Sequence, residues 1–191
     1  MEFIAIDFET ANRYNHSAVS VGLARMDHKG QVLDSYYTLI RPKYLFFEPM
    51  CMSVNGLTEM EIRNADTLET LWPEMSDFIG DLPLVAHNAA FDMSVLKGSL
   101  ASWGIQVPPF EYYCTLQLSR RLMPCHRSHS LTNLVHEVLD LDYNAHNAAD
   151  DAYVCGRLFC YMLSREGITD RDDLDDFMQF RRLRYPKVIM P

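Results

Sequence analysis

The spacing of polar and apolar positions changes several times along this chain, and each change marks an element. Phe3, Ile4, Ala5 and Ile6 form a short apolar run that leads into the acids Asp7 and Glu9, which predicts a strand with both acids at its end. Residues 17–26 and 31–39 are also strand-like, and His28, Lys29 and Gly30 supply a turn between them. Residues 3–39 therefore read as an antiparallel meander. Leu68, Leu71, Trp72, Met75, Phe78 and Ile79 then fall at helical spacing, and Pro73 is expected to kink or interrupt that helix. Further along, 82–86 predicts a strand, 91–103 a helix, 112–115 a short strand, and 130–139 a helix capped by Ser130. The last long helix runs from near Asn147 to about Arg165. A meander followed by alternating strands and helices predicts an α/β protein, with a mixed sheet covered by helices on both faces.

Composition narrows this picture. A chain of 191 residues with 48% hydrophobic content is the size of one domain and can bury a core without disulfides. The five cysteines are odd in number and lack a C-x-x-C pair, the usage expected of reduced thiols in a cytoplasmic protein. No charged-then-apolar leader is seen and no apolar run approaches the ~20 residues needed to span a bilayer, so a soluble protein with no membrane partner is expected. The net charge of -9 argues against a broad basic face for duplex nucleic acid. It leaves room for an enzyme that grips one strand end with metal ions and a few cations, with Arg120, Arg121 and Arg127 first in line, then Arg13 and Lys97. Near the C-terminus the sequence turns from DRDDLDD at 170–176 to RRLRYPK at 181–187. That pattern reads as a surface helix with a solvated tail, so 1–168 is taken as the catalytic domain and 169–191 as a C-terminal helix or tail.

The candidate chemistry lies in three separated segments. Asp7 and Glu9 are two apart on a strand and share a face, which makes half of a hard-cation site. Asp92 follows His87, Asn88 and Phe91 at a strand-to-helix join and shares a helical stripe with Val95, Leu96 and Ser99. Asp151 shares an inward stripe with Ala148, Cys155, Leu158 and Met162, whereas Asp150 falls with Val154, Arg157 and Tyr161. Asp151 is therefore the expected ligand. His146, just before that helix, is placed to act as a general base on an attacking water. Four such acids can hold two divalent cations, Mg2+ or Mn2+, which together serve a phosphodiester displacement. His126 and His129 lack the partners a zinc site needs.

Taken in order, the D-x-E of the first segment, HNAAFD of the second and H-x-x-x-x-D of the third resemble the three motifs of the DEDDh branch of the DEDD exonuclease superfamily, which includes the proofreading epsilon subunits of bacterial replicative polymerases. The resemblance spans about residues 1–165. It implies a ribonuclease H-like fold with a mixed five-stranded sheet, and hydrolysis from the 3′ end that releases nucleoside 5′-monophosphates. It further implies that Asp7, Glu9, Asp92 and Asp151 are the ligands of two Mg2+ or Mn2+ ions and that His146 is the base. Phe8, Thr10, Ala11 and Asn12 would lie beside the terminal nucleotide, and His87, Asn88 and Phe91 would shape its pocket. SVNGLT at 53–58 resembles the loop that contacts the terminal base, with Asn55 where many relatives have histidine. The expected partners are a single-stranded or frayed 3′ end of DNA or RNA and, in a replicative setting, a DNA polymerase. An exoribonuclease acting on short RNA is the rival enzyme reading. A non-catalytic module that only binds nucleic-acid ends or partner proteins is disfavoured, because all five catalytic positions are present.

Overall fold

The computed structural model describes residues 1–190. The expected meander is β1 (Glu2–Thr10), β2 (Ala18–Asp27) and β3 (Val32–Leu39). Two short helices follow, α1 (Pro49–Asn55) and α2 (Glu59–Asn64), then α3 (Leu68–Ile79), β4 (Leu84–Ala86) and α4 (Ala90–Ser102). After β5 (Glu111–Cys114) come α5 (Thr115–Leu122), the single turn α6 (Leu131–Leu134) running into a π-helical turn at Val135–Leu139, the long α7 (Ala148–Glu166), α8 (Arg171–Phe180) and β6 (Lys187–Val188). Among the described residues six strands form one sheet in the order β3-β2-β1-β4-β5-β6. β4 is parallel to β1 and to β5, and the other neighbours are antiparallel.

The structure corrects several expectations. The sheet has six strands where five were expected, because Lys187 and Val188 pair with Tyr112 and Glu111 at the edge. The C-terminal stretch is accordingly not a solvated tail. Leu174 and Met178 of α8 are buried in one core cluster and Ile189 in the other. Pro73 does not interrupt α3: it removes one backbone bond, while the buried stripe Leu68, Leu71, Trp72, Met75 and Ile79 holds the helix together. Thr115 opens a helix instead of closing a strand, and α5 is too short for its periodicity to stand out. α1 buries none of its residues, so no apolar stripe announces it.

Both faces of β1 are covered, and this places the candidate site. Ile4, Ile6 and Phe8 belong to the core under α3 and α4, whereas Phe3 and Ala5 belong to the core under α7. Asp7 and Glu9 continue the second row, so strand alternation turns both acids to the α7 side. α7 can lie close against the sheet because glycines line its path. A Cβ at Gly22 would run into the backbone carbonyl of Ala148, and one at Gly156 into Met26 Sδ. Burial of Leu158 and Phe159 stabilises this docking by roughly 1.5–3 kcal/mol each. The N-terminus of α7 is thus brought over the carboxyl end of β1, beside the carboxyl end of β4, the part of an α/β sheet where ligands collect.

Candidate active site

Three elements deliver the acids to one place. Asp7 and Glu9 come from the end of β1, Asp92 from the first turn of α4, and Asp151 from the first turn of α7. Asn147 caps α7 by accepting the amides of Ala149 and Asp150. This fixes the rotation of α7 and turns Asp151 inward, 7% exposed. Its Oδ1 accepts from the Tyr143 hydroxyl at 3.0 Å and its Oδ2 from the His146 amide at 2.7 Å. Asp92 is 1% exposed, and its Oδ1 accepts from the Phe8 amide at 3.2 Å. Its Oδ2 is buried with no hydrogen-bond partner among the described residues. Glu9, Asp151 and the exposed His146 each offer an atom within 4.8 Å of the others.

The electrostatics are those of crowded anions short of countercharge. Burial first, and then the charges of Asp92, Asp151 and Glu9, push the Asp7 carboxyl far above its ordinary range. Burial followed by Asp151 raises Glu9 to about 8. Asp92 rises well above its normal value, chiefly through burial. Asp151 is raised by burial but held back by its bonds from Tyr143 and His146. The cleft above them holds about 350 Å³ and has neither lysine nor arginine in its lining. A polyanionic cluster of hard oxygen donors with one orphaned, buried carboxylate oxygen fits a divalent cation, which would supply the missing partner.

The residues expected to touch substrate divide into two groups. Phe8, Thr10, His87 and Phe91 line the cleft, and the Phe91 ring is 46% exposed there. Ala11 is fully buried. Asn12 spends its side chain locally, donating to the Phe46 carbonyl at 2.6 Å and accepting from the Tyr14 amide at 2.9 Å. Asn55 ties its loop to β1, donating to the Thr10 carbonyl at 3.3 Å. Asn88 is exposed at φ 64°. His87 has both ring nitrogens engaged, Nδ1 with the Thr115 hydroxyl and Nε2 with the His129 carbonyl, each at 2.9 Å. Since a carbonyl only accepts, Nε2 carries the proton, and burial depresses the imidazole to about 4, so His87 stands neutral as a strut under the 129–130 loop. His146 also sits at positive φ, 66°, a backbone strain of the kind that collects at functional sites.

Sequence reasoning missed Tyr143, which orients Asp151, and did not anticipate that Ser130, Leu131 and Thr132 form one wall of the cleft. Tyr143 lies in an irregular loop where no period or motif points to its partner. Of the expected cations, Arg120 and Arg127 line a second cleft next to the first. Arg13 is committed to Glu48 in an ion pair of 3.4 Å.

This arrangement is matched by known proteins. The RNase_T family model, described as an exonuclease, matches residues 4–159, and the chain belongs to that family. Its resemblance to the DEDDh exonucleases is thereby upheld. The PolC-type DNA polymerase III of Thermotoga maritima is 29% identical over 182 residues, covering 91% of this chain. This chain spans only 13% of that relative's length. Among solved structures, exonuclease X in complex with 5′ overhanging duplex DNA superposes with a TM-score of 0.71 at 24% identity, covering 87% of this chain and 94% of that one. The nuclease domain of 3′hExo, a DEDDh family member bound to rAMP, gives 0.73 at 17% identity, covering 89% and 94%. Both share the ribonuclease H-like fold that the three motifs imply. No helix among the described residues is long and apolar enough to cross a membrane.

Proposed function

We propose that this chain is a metal-dependent 3′-to-5′ exonuclease acting on single-stranded or frayed 3′ ends, with residues 1–168 as its catalytic unit. The observation that carries the reading is the convergence of Asp7, Glu9, Asp92 and Asp151 beside His146, with Asp92 Oδ2 left unpaired. The four acids would hold two Mg2+ or Mn2+ ions. When bound, these neutralise the acids and stabilise charge on the attacking and leaving oxygens. Phe8, Thr10 and Phe91 hold the terminal nucleotide in the cleft, where the exposed Phe91 ring offers a base a stacking surface. His146 takes the proton of a water whose oxygen attacks the last phosphodiester. The new P–O bond forms as the bond to the 3′-oxygen of the preceding nucleotide breaks, which frees a nucleoside 5′-monophosphate. The match to PolC-type polymerases supports proofreading beside a replicative polymerase as the setting.

The test is incubation of purified protein with 5′-labelled single-stranded DNA and RNA of one sequence, with Mg2+, with Mn2+ and with chelator. A ladder that shortens from the 3′ end, and that chelator abolishes, is expected. Cuts within the strand, or activity indifferent to chelator, would overturn the reading. The same gel reports the sugar preference.

A further inference from the structure

Beside the acidic cleft, and sharing His87, Ser130 and Leu131 with it as a common wall, lies a second cleft of about 570 Å³. Its remaining walls are Leu116, Arg120, Arg127, Ser128 and His129, without a carboxylate. Arg120 and Arg127 are exposed, and neither side chain makes a hydrogen bond or ion pair among the described residues. The nearby acid Glu137 is taken up by His126. Burial lowers both His87 and His129, and the nearby Arg120 guanidinium adds to it. Arg120 stands on α5, and the loop that carries Arg127 is braced at three points: His87 Nε2 donates to the His129 carbonyl, Ser119 Oγ meets His129 Nδ1 at 3.0 Å, and Ser128 Oγ meets Ser130 Oγ at 3.2 Å. Helix α5 and the braced loop therefore hold two uncommitted guanidinium groups, those of Arg120 and Arg127, over an open groove.

We infer that this cleft binds the phosphates of the strand just 5′ of the nucleotide being removed, with Arg120 and Arg127 as the phosphate-gripping residues. The inference rests on the exonuclease reading for the direction of the strand. Charge complementarity supports it, because the groove continues the acidic cleft and is the positive half of the pair. Guanidinium is suited to phosphate oxygens through its planar, forked donors. The division of labour also reconciles a strongly acidic protein with a polyanionic substrate: the acids attend to one scissile phosphate and the arginines to those behind it.

The test compares wild type with Arg120→Gln, Arg127→Gln and the double variant, using Arg165→Gln at the far end of α7 as a control for net charge. Binding of a 5′-fluorescent ten-nucleotide single-stranded DNA is read by anisotropy in chelator, over a range of salt, and turnover is read on that strand and on a dinucleotide. Each cleft substitution is expected to weaken strand binding about tenfold. The double variant should lower the slope of log K against log salt by about 1.4, at roughly 0.7 per single-strand phosphate contact. Dinucleotide turnover should be unchanged, and Arg165→Gln should match wild type. Unchanged binding and salt slope in a folded double variant would overturn the cleft. So would an equal loss on dinucleotide and decamer, or the same loss in Arg165→Gln. A wild type that binds the strand through these arginines yet cleaves nothing would instead refute the exonuclease reading and leave the cleft standing.

Discussion

The two halves of the acidic site are built on different principles. Asp7 and Asp92 stand on the end of a central strand and the first turn of a helix, in surroundings dry enough that their carboxyls hold protons well above the ordinary range. Glu9, His146 and Asp151 form the outer half, where a loop supplies the fixing contacts: the Tyr143 hydroxyl and the His146 amide each take one oxygen of Asp151. The inner half is thus positioned by secondary structure and burdened by burial. In the outer half Glu9 also stands on β1 and Asp151 on α7, but Asp151 is further held by two individual hydrogen bonds from the loop before α7, and His146 is exposed. Charge on the inner acids is costly until a cation arrives, whereas geometry in the outer half fails one bond at a time.

Substitutions should separate the halves. The largest effect is expected for Asp7→Ala, which should drop 3′-to-5′ turnover below detection while the metal-free protein melts no lower than wild type, because one of several repelling acids is gone. Asp151→Asn should be comparably severe and Asp150→Asn mild, since only Asp151 faces the cleft. A folded Asp7→Ala with near-normal turnover, or equal activities in the two asparagine variants, would break the site assignment. His146→Ala should cost about 10² to 10⁴ in turnover, the usual range for a general base, and leave Mn2+ binding in place. Calorimetry with Mn2+ and single-turnover rates check both parts. Tyr143→Phe should cost less, about 10- to 100-fold in activity or metal affinity, as is typical when a partner that orients a ligand is lost. A Tyr143→Phe variant as crippled as Asp151→Asn would mean that the hydroxyl acts on substrate directly.

The smallest effect expected is on stability against pH in the absence of metal. Asp7, Glu9, Asp92 and Asp151 all have folded-state values above the ordinary ones, with Glu9 at about 8. As pH rises from about 4 the unfolded chain gives up these protons while the folded chain keeps them, so the folded state loses its advantage until its own acids ionise. The melting temperature in chelator should therefore fall between about pH 5 and pH 8. Saturating Mn2+ should remove or reverse the slope, because a cation binds the deprotonated acids of the folded state. A chelated protein that gains stability over that range would contradict the crowding of the inner half.

Legibility in the sequence follows regular secondary structure. The apolar run Phe3–Ile6 and the stripe through Asp151, Cys155, Leu158 and Met162 place three acids on strand and helix faces, because period alone decides which way those side chains turn. Pro73 misled because tertiary burial of Leu71, Trp72 and Met75 outweighs one missing backbone bond. β6 pairs through only two residues, and Ile189 gains its burial from a distant cluster, neither of which has a local signature. The partnership of Tyr143 with Asp151, and the approach of Arg127 to Arg120 of α5 in one cleft, depend on where loops come to rest, which no spacing encodes.

The most direct test of the cation site is calorimetric titration of Mn2+ into the metal-free protein at pH 6.5, repeated in two buffers of different ionisation enthalpy. Acids held protonated by burial and by one another must release protons as the cation binds, so the apparent heats should differ between buffers by an amount that reports net proton release. That release should shrink in Asp7→Asn and Asp92→Asn. Failure to bind Mn2+, or binding with no transfer of protons to the buffer, would contradict a divalent-cation site made by these four carboxylates.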